Sequence, residues 1–117
     1  QPAQRLCESR VVNDTPTWMY WFTWPSPAFG GVIGCCHALD IPFAFDNLDA
    51  EGVQMMTGEG VERAAIADRF ASEIVEFATH GHPSWSQFNL HDRPTLVIDT
   101  ETYLAHDPES EIRILHS

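Results

Sequence analysis

Eight consecutive residues, Thr17, Trp18, Met19, Tyr20, Trp21, Phe22, Thr23 and Trp24, constrain the fold more than any other stretch of the chain. In an extended strand, side chains alternate between faces. Trp18, Tyr20, Phe22 and Trp24 then share one face, and Met19 and Trp21 the other. A strand apolar on both faces predicts an interior strand covered on both sides, as in parallel α/β sheets. The rest of the 117 residues offers little to cover it. Residues 1–13 read as a short polar helix end, with Leu6, Val11 and Val12 as its apolar points. The turn signal Asn13-Asp14-Thr15-Pro16 stops it. Residues 62–79 form the clearest helix. There Ile66, Phe70, Ile74 and Ala78 repeat at four, Ala67, Ala71 and Val75 lie beside them, and Phe77 closes the stripe. Gly81 and Pro83 end that helix. Residues 95–99 make a second short strand, and Asp107 caps a last helix with Pro108 at its first position. A polar link joins residue 46 to Gly60.

Two strands and two or three helices cannot bury both faces of an interior strand. The pattern therefore predicts a piece of a larger α/β domain, one unit over residues 1–117 without internal repeat or boundary. Bare sheet edges and aromatic surface predict that such a piece self-associates. The charge narrows the partners. Seventeen acidic residues against six basic ones, all Arg, give −11, which repels phosphate backbones and anionic membrane surfaces. No apolar run approaches the roughly 18 residues a membrane span needs. The first ten residues lack the pattern of a secretory signal. Cys7, Cys35 and Cys36 make no disulfide framework and read as buried free thiols. Together these favour a cytoplasmic setting.

For chemistry, His37 stands out. It follows a strand and a loop rich in glycine (Gly30, Gly31, Gly34), where α/β folds place catalytic groups, and its pKa range suits general acid and base work. On residue type alone, a structural histidine is the commoner role. Asp40, three residues on, either orients His37 or holds the loop. The seven serines, Ser9, Ser26, Ser72, Ser84, Ser86, Ser110 and Ser117, include none in a G-x-S-x-G elbow. His80, His82 and His91 space like a weak zinc motif, but no cysteine or carboxylate cluster accompanies them, so they read as surface residues and no metal is assigned. The glycines precede no Lys-Ser or Lys-Thr, which excludes a phosphate loop.

At Gly34-Cys35-Cys36-His37-Ala38-Leu39-Asp40-Ile41-Pro42-Phe43-Ala44-Phe45 the chain resembles the H-A-L-E-L-P-F-V-F segment of type B carboxylesterases, the cholinesterase-like α/β-hydrolases. Residues 17–24 resemble a late interior strand of that family. Phe77-Ala78-Thr79-His80-Gly81-His82-Pro83 is similar to the F-A-x-x-G-x-P end of its last long helix. Trp85-Ser86-Gln87-Phe88 and Arg93-Pro94-Thr95-Leu96-Val97-Ile98 resemble its W-P-x-Y and R-x-T-M-x-F segments, and Asp107-Pro108 fits its late D-P. Asp40 stands where the family usually has Glu, and Ile74 where a helix Trp is common.

The resemblance implies the C-terminal fragment of an α/β-hydrolase fold: late sheet strands, a catalytic-histidine loop and a long C-terminal helix. It implies that His37 is the triad histidine of a serine carboxylesterase acting on carboxylic esters without a cofactor. Asp40 would be a supporting residue, and Phe29, Ile33 and Leu39 are candidates for the substrate pocket or for plain packing. The nucleophile elbow, oxyanion segment and triad acid would belong to the remainder of the parent esterase, leaving this fragment inactive alone. The partners expected are that remainder and a small ester, with neither nucleic acid nor membrane. Two rival readings are a non-catalytic cholinesterase-like adhesion module and a small histidine-based metal protein.

Overall fold

A computed structural model of the protein describes residues 2–115. Its contacts fall into two compact units, the first made of residues up to 21, 85–97 and 103 onward, the second of residues 22–84 and 98–102.

In the first unit, helix α1 (Pro2–Val12) opens on proline, whose missing N–H costs nothing at a helix start. Leu6 and Val12, two of its expected apolar points, are 62% and 71% exposed. The helix instead buries Cys7 against Met19 and Phe88, with Val11 and Trp21 partly buried beside them. Bonds from the Asn13 and Asp14 N–H groups to Arg10 and Val11 carbonyls form the expected turn, with Asp14 at φ 52°.

Strands β1 (Met19–Phe22), β2 (Pro94–Ile98) and β3 (Tyr103–His106) make one sheet in the order β1-β2-β3 among the described residues. β2 and β3 pair antiparallel, with Pro94 opposite His106 and Val97 opposite Tyr103. One expectation is corrected here. A third strand exists, β3, whose four residues are too few and too mixed to announce a strand. The strand buried at every position is β2. The aromatic strand β1 is an outer strand of this sheet, and Tyr20 is exposed.

Arg93, next to β2, pairs with Glu8 and Asp107 and lies over the Phe88 ring at 5.9 Å. The last helix, α5 (Ser110–Leu115), starts later than expected. Asp107 does not cap it: its carboxylate accepts from Arg113 Nη2 at 2.6 Å and Nε at 3.2 Å. A bidentate charge-assisted pair outcompetes a cap's backbone bond.

In the second unit, the stretch before the polar link and the link itself each carry a short helix. The single-turn helices α2 (Ile41–Ala44), ahead of the link, and α3 (Gln54–Thr57), within it, are too short to show a period in sequence. Helix α4 (Glu62–His80) ends as predicted at Gly81, whose left-handed φ of 78° lets its N–H reach the Phe77 carbonyl at 2.8 Å. α4 packs on α2. Phe43 centres the core, 5.0 Å from Phe22 and 5.2 Å from Trp24 between ring centroids, while Phe70 of α4 lies 6.2 Å from Phe22. Such aromatic pairs add about 0.5–1.5 kcal/mol each beyond the area they bury.

The apolar stripe of α4 is buried only in its first half, at Ile66, Ala67 and Phe70. Ile74, Val75 and Phe77, expected on the same stripe, are 40%, 61% and 49% exposed, and Ala78 is exposed too. No helix among the described residues is long and apolar enough to cross a membrane.

Candidate functional site

Every singled-out site residue, His37, Asp40, Phe29, Ile33 and Leu39, lies in the second unit. The loop that carries them is pinned at its neck. Ser26 is 1% exposed, and its N–H donates to the Gly34 carbonyl at 3.0 Å. Its hydroxyl donates to the Met56 carbonyl at 2.6 Å and accepts from the Ala28 N–H at 3.1 Å. Between the two ends, a 3-10 turn (Ala28–Gly31) is interrupted at Phe29 (φ 54°) and Gly30 (φ 67°). Gly58 presses close behind: a Cβ there would meet Pro27 Cγ at 2.9 Å and the Ala28 nitrogen at 3.0 Å. Glycine is therefore required at 58 by both space and its φ of 65°.

Beyond the neck, the Cys35 thiol donates to the Phe22 carbonyl at 3.0 Å. A β-turn then spans Cys36 to Leu39, closed by the Leu39 N–H on the Cys36 carbonyl at 3.3 Å. His37 occupies its second position and Ala38 its third, with Ala38 at φ 65°, where L-residues are strained by about 1 kcal/mol. The turn pushes His37 into solvent, while Leu39, fully buried at 0% exposure, stakes it to the core. Asp40 directly precedes α2, and its carbonyl takes the Ala44 N–H at 2.9 Å. Its side chain makes no cap bond to that helix.

The three pocket candidates separate: Leu39 is core, Phe29 is 68% exposed, and Ile33 is half-buried. Beside the turn lies a hollow of about 380 Å³ that none of the three lines. Its walls come instead from Ala38, α2, α3 and the link between them, including Ile41, Val53, Met56, Asn47 and Glu51. Sequence reasoning missed it, because α2 and α3 left no periodic trace.

The cysteines are all free, but only Cys7 is buried; Cys35 is exposed and Cys36 half-buried, against the expectation of three buried thiols. Partial burial, then Cys36, Asp40 and Asp99, push the Cys35 thiol above its ordinary 9.0. Held protonated near neutrality, it is a poor nucleophile beside His37. Of the remaining histidines, His80 stacks on His82 at 6.0 Å and faces Glu76 at 3.6 Å, while His91 pairs with its neighbour Asp92 at 2.8 Å. These groups do not converge on a metal-sized centre among the described residues. Of the seven serines, Ser26 and Ser84 are tied into structural bonds, and Ser117 lies outside the described residues.

No protein-family model matches the chain. The para-nitrobenzyl esterase of Bacillus subtilis (strain 168) is 35% identical to it over 107 residues, covering 84% of this chain and 21% of that protein. The chain is homologous to the para-nitrobenzyl esterases. A solved thermophilic PNB esterase superposes with a TM-score of 0.73 at 31% identity, over 86% of this chain and 22% of the other. A carboxylesterase of Geobacillus stearothermophilus does so with a TM-score of 0.81 at 25% identity, over 95% and 24%. This esterase homologue thus spans about a fifth of the length of the curated relative it matches. Its helices and small sheet are a segment of the α/β-hydrolase fold.

Proposed function

We propose that this chain is the C-terminal, histidine-bearing segment of a serine carboxylesterase, with His37 as the triad histidine. One observation carries the reading. In a homologue of para-nitrobenzyl esterases, His37 sits at the head of the run His37-Ala38-Leu39-Asp40-Ile41-Pro42-Phe43, on a turn that exposes its ring while Leu39 and Phe43 anchor the turn at 0% exposure. An exposed ring on a fixed backbone is what a proton carrier between two bound partners requires.

A serine on the remainder of the esterase attacks the ester carbonyl as His37 takes its proton. The imidazolium then protonates the departing alkoxide. In deacylation His37 takes a proton from water and returns one to the serine oxygen. The acid that holds its tautomer and the oxyanion donors belong to the same remainder. Asp40 is a positioning residue, acting through the turn and the start of α2. The 117 residues alone should not hydrolyse esters, because a general base without oxyanion stabilisation forgoes the largest part of the rate enhancement.

The test is a para-nitrobenzyl esterase in which this chain replaces the homologous segment. The hybrid should hydrolyse para-nitrobenzyl esters, and His37→Ala should lower its kcat by at least about ten-thousand-fold with an unchanged melting curve. A folded His37→Ala hybrid that retains its rate would refute the assignment.

A further inference from the structure

We propose that Cys35 and Cys36 form a reversible oxidation site, in which hydrogen peroxide joins the two neighbouring thiols in a disulfide ring that opens the turn carrying His37. The oxidation stands on the two thiols themselves. Its consequence for ester hydrolysis rests on the reading of His37 as the catalytic base.

The pair is placed for this chemistry. Both thiols are free, with Cys35 exposed and Cys36 half-buried, so an oxidant reaches the first while the second stands next to it in the chain. Partial burial pushes the Cys35 thiol up, and Cys36, Asp40 and Asp99 add to it, so two carboxylates lie within electrostatic reach. In a chain of net charge −11 they disfavour anionic thiol reagents and leave a small neutral peroxide as the fitting oxidant. Only the thiolate reacts, so the raised thiol makes oxidation slow at neutral pH without preventing it.

The Cys35 sulfur attacks one peroxide oxygen, the O–O bond breaks, and the departing hydroxide leaves as water with the thiol's proton. The product is a sulfenic acid. The Cys36 sulfur then displaces the oxygen: the S–S bond forms, the S–O bond breaks, and a second water takes the Cys36 proton. Two thiols thus give two electrons and two protons to one peroxide, which becomes two waters.

Adjacency makes the bond labile. Consecutive Cα atoms lie about 3.8 Å apart across a trans peptide, closer than the roughly 4.4–6.8 Å that disulfides prefer. The ring must therefore distort the backbone, and a strained disulfide is easily reduced. The backbone can yield here, because the pair lies outside every described helix and strand and follows Gly34 at φ 55°. Closing the ring resets ψ of Cys35 and φ of Cys36, directly before the Cys36 carbonyl that receives the Leu39 N–H at 3.3 Å. It also removes the S–H donor that fastens Cys35 to the Phe22 carbonyl at 3.0 Å. Both fastenings of the His37 turn to its surroundings are loosened at once.

The test treats the 117-residue chain with hydrogen peroxide and then with dithiothreitol. We expect the thiol count in denaturant to fall from three to one and to return to three. Tandem mass spectra should place the loss of two hydrogens at Cys35 and Cys36 within one chain. In amide proton–nitrogen spectra the His37, Ala38 and Leu39 signals should move, and the Leu39 N–H should exchange about tenfold faster or more. Cys36→Ser should form no ring and should gain oxygen at Cys35 instead, while Cys7→Ser should form the ring as before. A bond from either thiol to Cys7, a bond between two chains, or a ring that leaves the turn signals in place would each overturn the proposal. So would two intact thiols at a peroxide dose that oxidises the exposed Met55. None of these readouts is ester hydrolysis, so this inference and the His37→Ala result in the hybrid can each fail alone.

Discussion

Glu73 is 5% exposed, although it is a charged residue on a helix. Its carboxylate takes the Ser84 N–H at 2.9 Å, the Ser84 hydroxyl, and an Arg69 Nη2 at 3.2 Å. It thereby fastens the chain leaving α4 back onto the helix. Arg63, also buried, likewise bonds Thr57 Oγ1 at 2.9 Å and the Gly60 carbonyl at 3.3 Å, tying the link into α4. Neither role is legible from periodicity, since a pattern rule assigns charges to the wet face and cannot see a bond eleven residues away. Replacing a buried acceptor leaves its donors poorly served. Glu73→Gln should therefore cost about 1–3 kcal/mol of unfolding free energy. Arg69 is 48% exposed, and an ion pair to such a side chain is worth under about 1 kcal/mol. Arg69→Ala should accordingly shift the urea midpoint much less than Glu73→Gln; equal shifts would place the stabilisation in the ion pair instead. His37 differs from both. Its place after a strand and a glycine-rich loop singled it out, its residue type left a structural role open, and the ordered run of neighbouring residues turned the reading toward catalysis.

Among the elements, legibility followed length. α4 could be placed almost to the residue because nineteen residues give a period time to show and Gly81 marks its end. β3 and the single-turn helices α2 and α3 have four residues each, shorter than any window in which period 2 and period 3.6 separate. The start of α5 failed for another reason. Asp107 looks like a cap in sequence, but its carboxylate is taken by Arg113, and Arg93 lies 3.9 Å away. The Arg113 hydrogen bond, with the charges of Arg113 and Arg93, holds Asp107 below its ordinary 3.8. A carboxylate depressed on folding contributes stability that is fully present above the unfolded value. That stability is lost as the pH falls through the lower, folded one. Asp107→Asn should therefore flatten the loss of melting temperature between about pH 4 and pH 2. An acid limb identical to that of the unaltered chain would remove Asp107 from the account.

For the whole molecule, the aromatic strand asks for neighbours on both sides that this chain does not supply. β1 is an outer strand, and β2 is the one buried throughout. The inference that the chain is a piece of a larger domain nevertheless agrees with relatives of which it covers about a fifth. Exposed Ile74 and Val75 on α4 and the outer strands β1 and β3 lead us to expect that the isolated chain associates. Sedimentation velocity should show weight-average mass rising with concentration above 13.2 kDa; a monodisperse monomer at high concentration would rule this out.

The knot at Ser26 has a consequence for how such a segment can diverge. One buried hydroxyl joins the neck of the histidine loop to the backbone of α3, and Gly58 leaves no room for slack between them. Substitutions in α3 that reshape the hollow also pull on the strap that sets where His37 stands. Positions 26 and 58 should therefore drift as a linked set, since either change alone loosens or crowds the same strap.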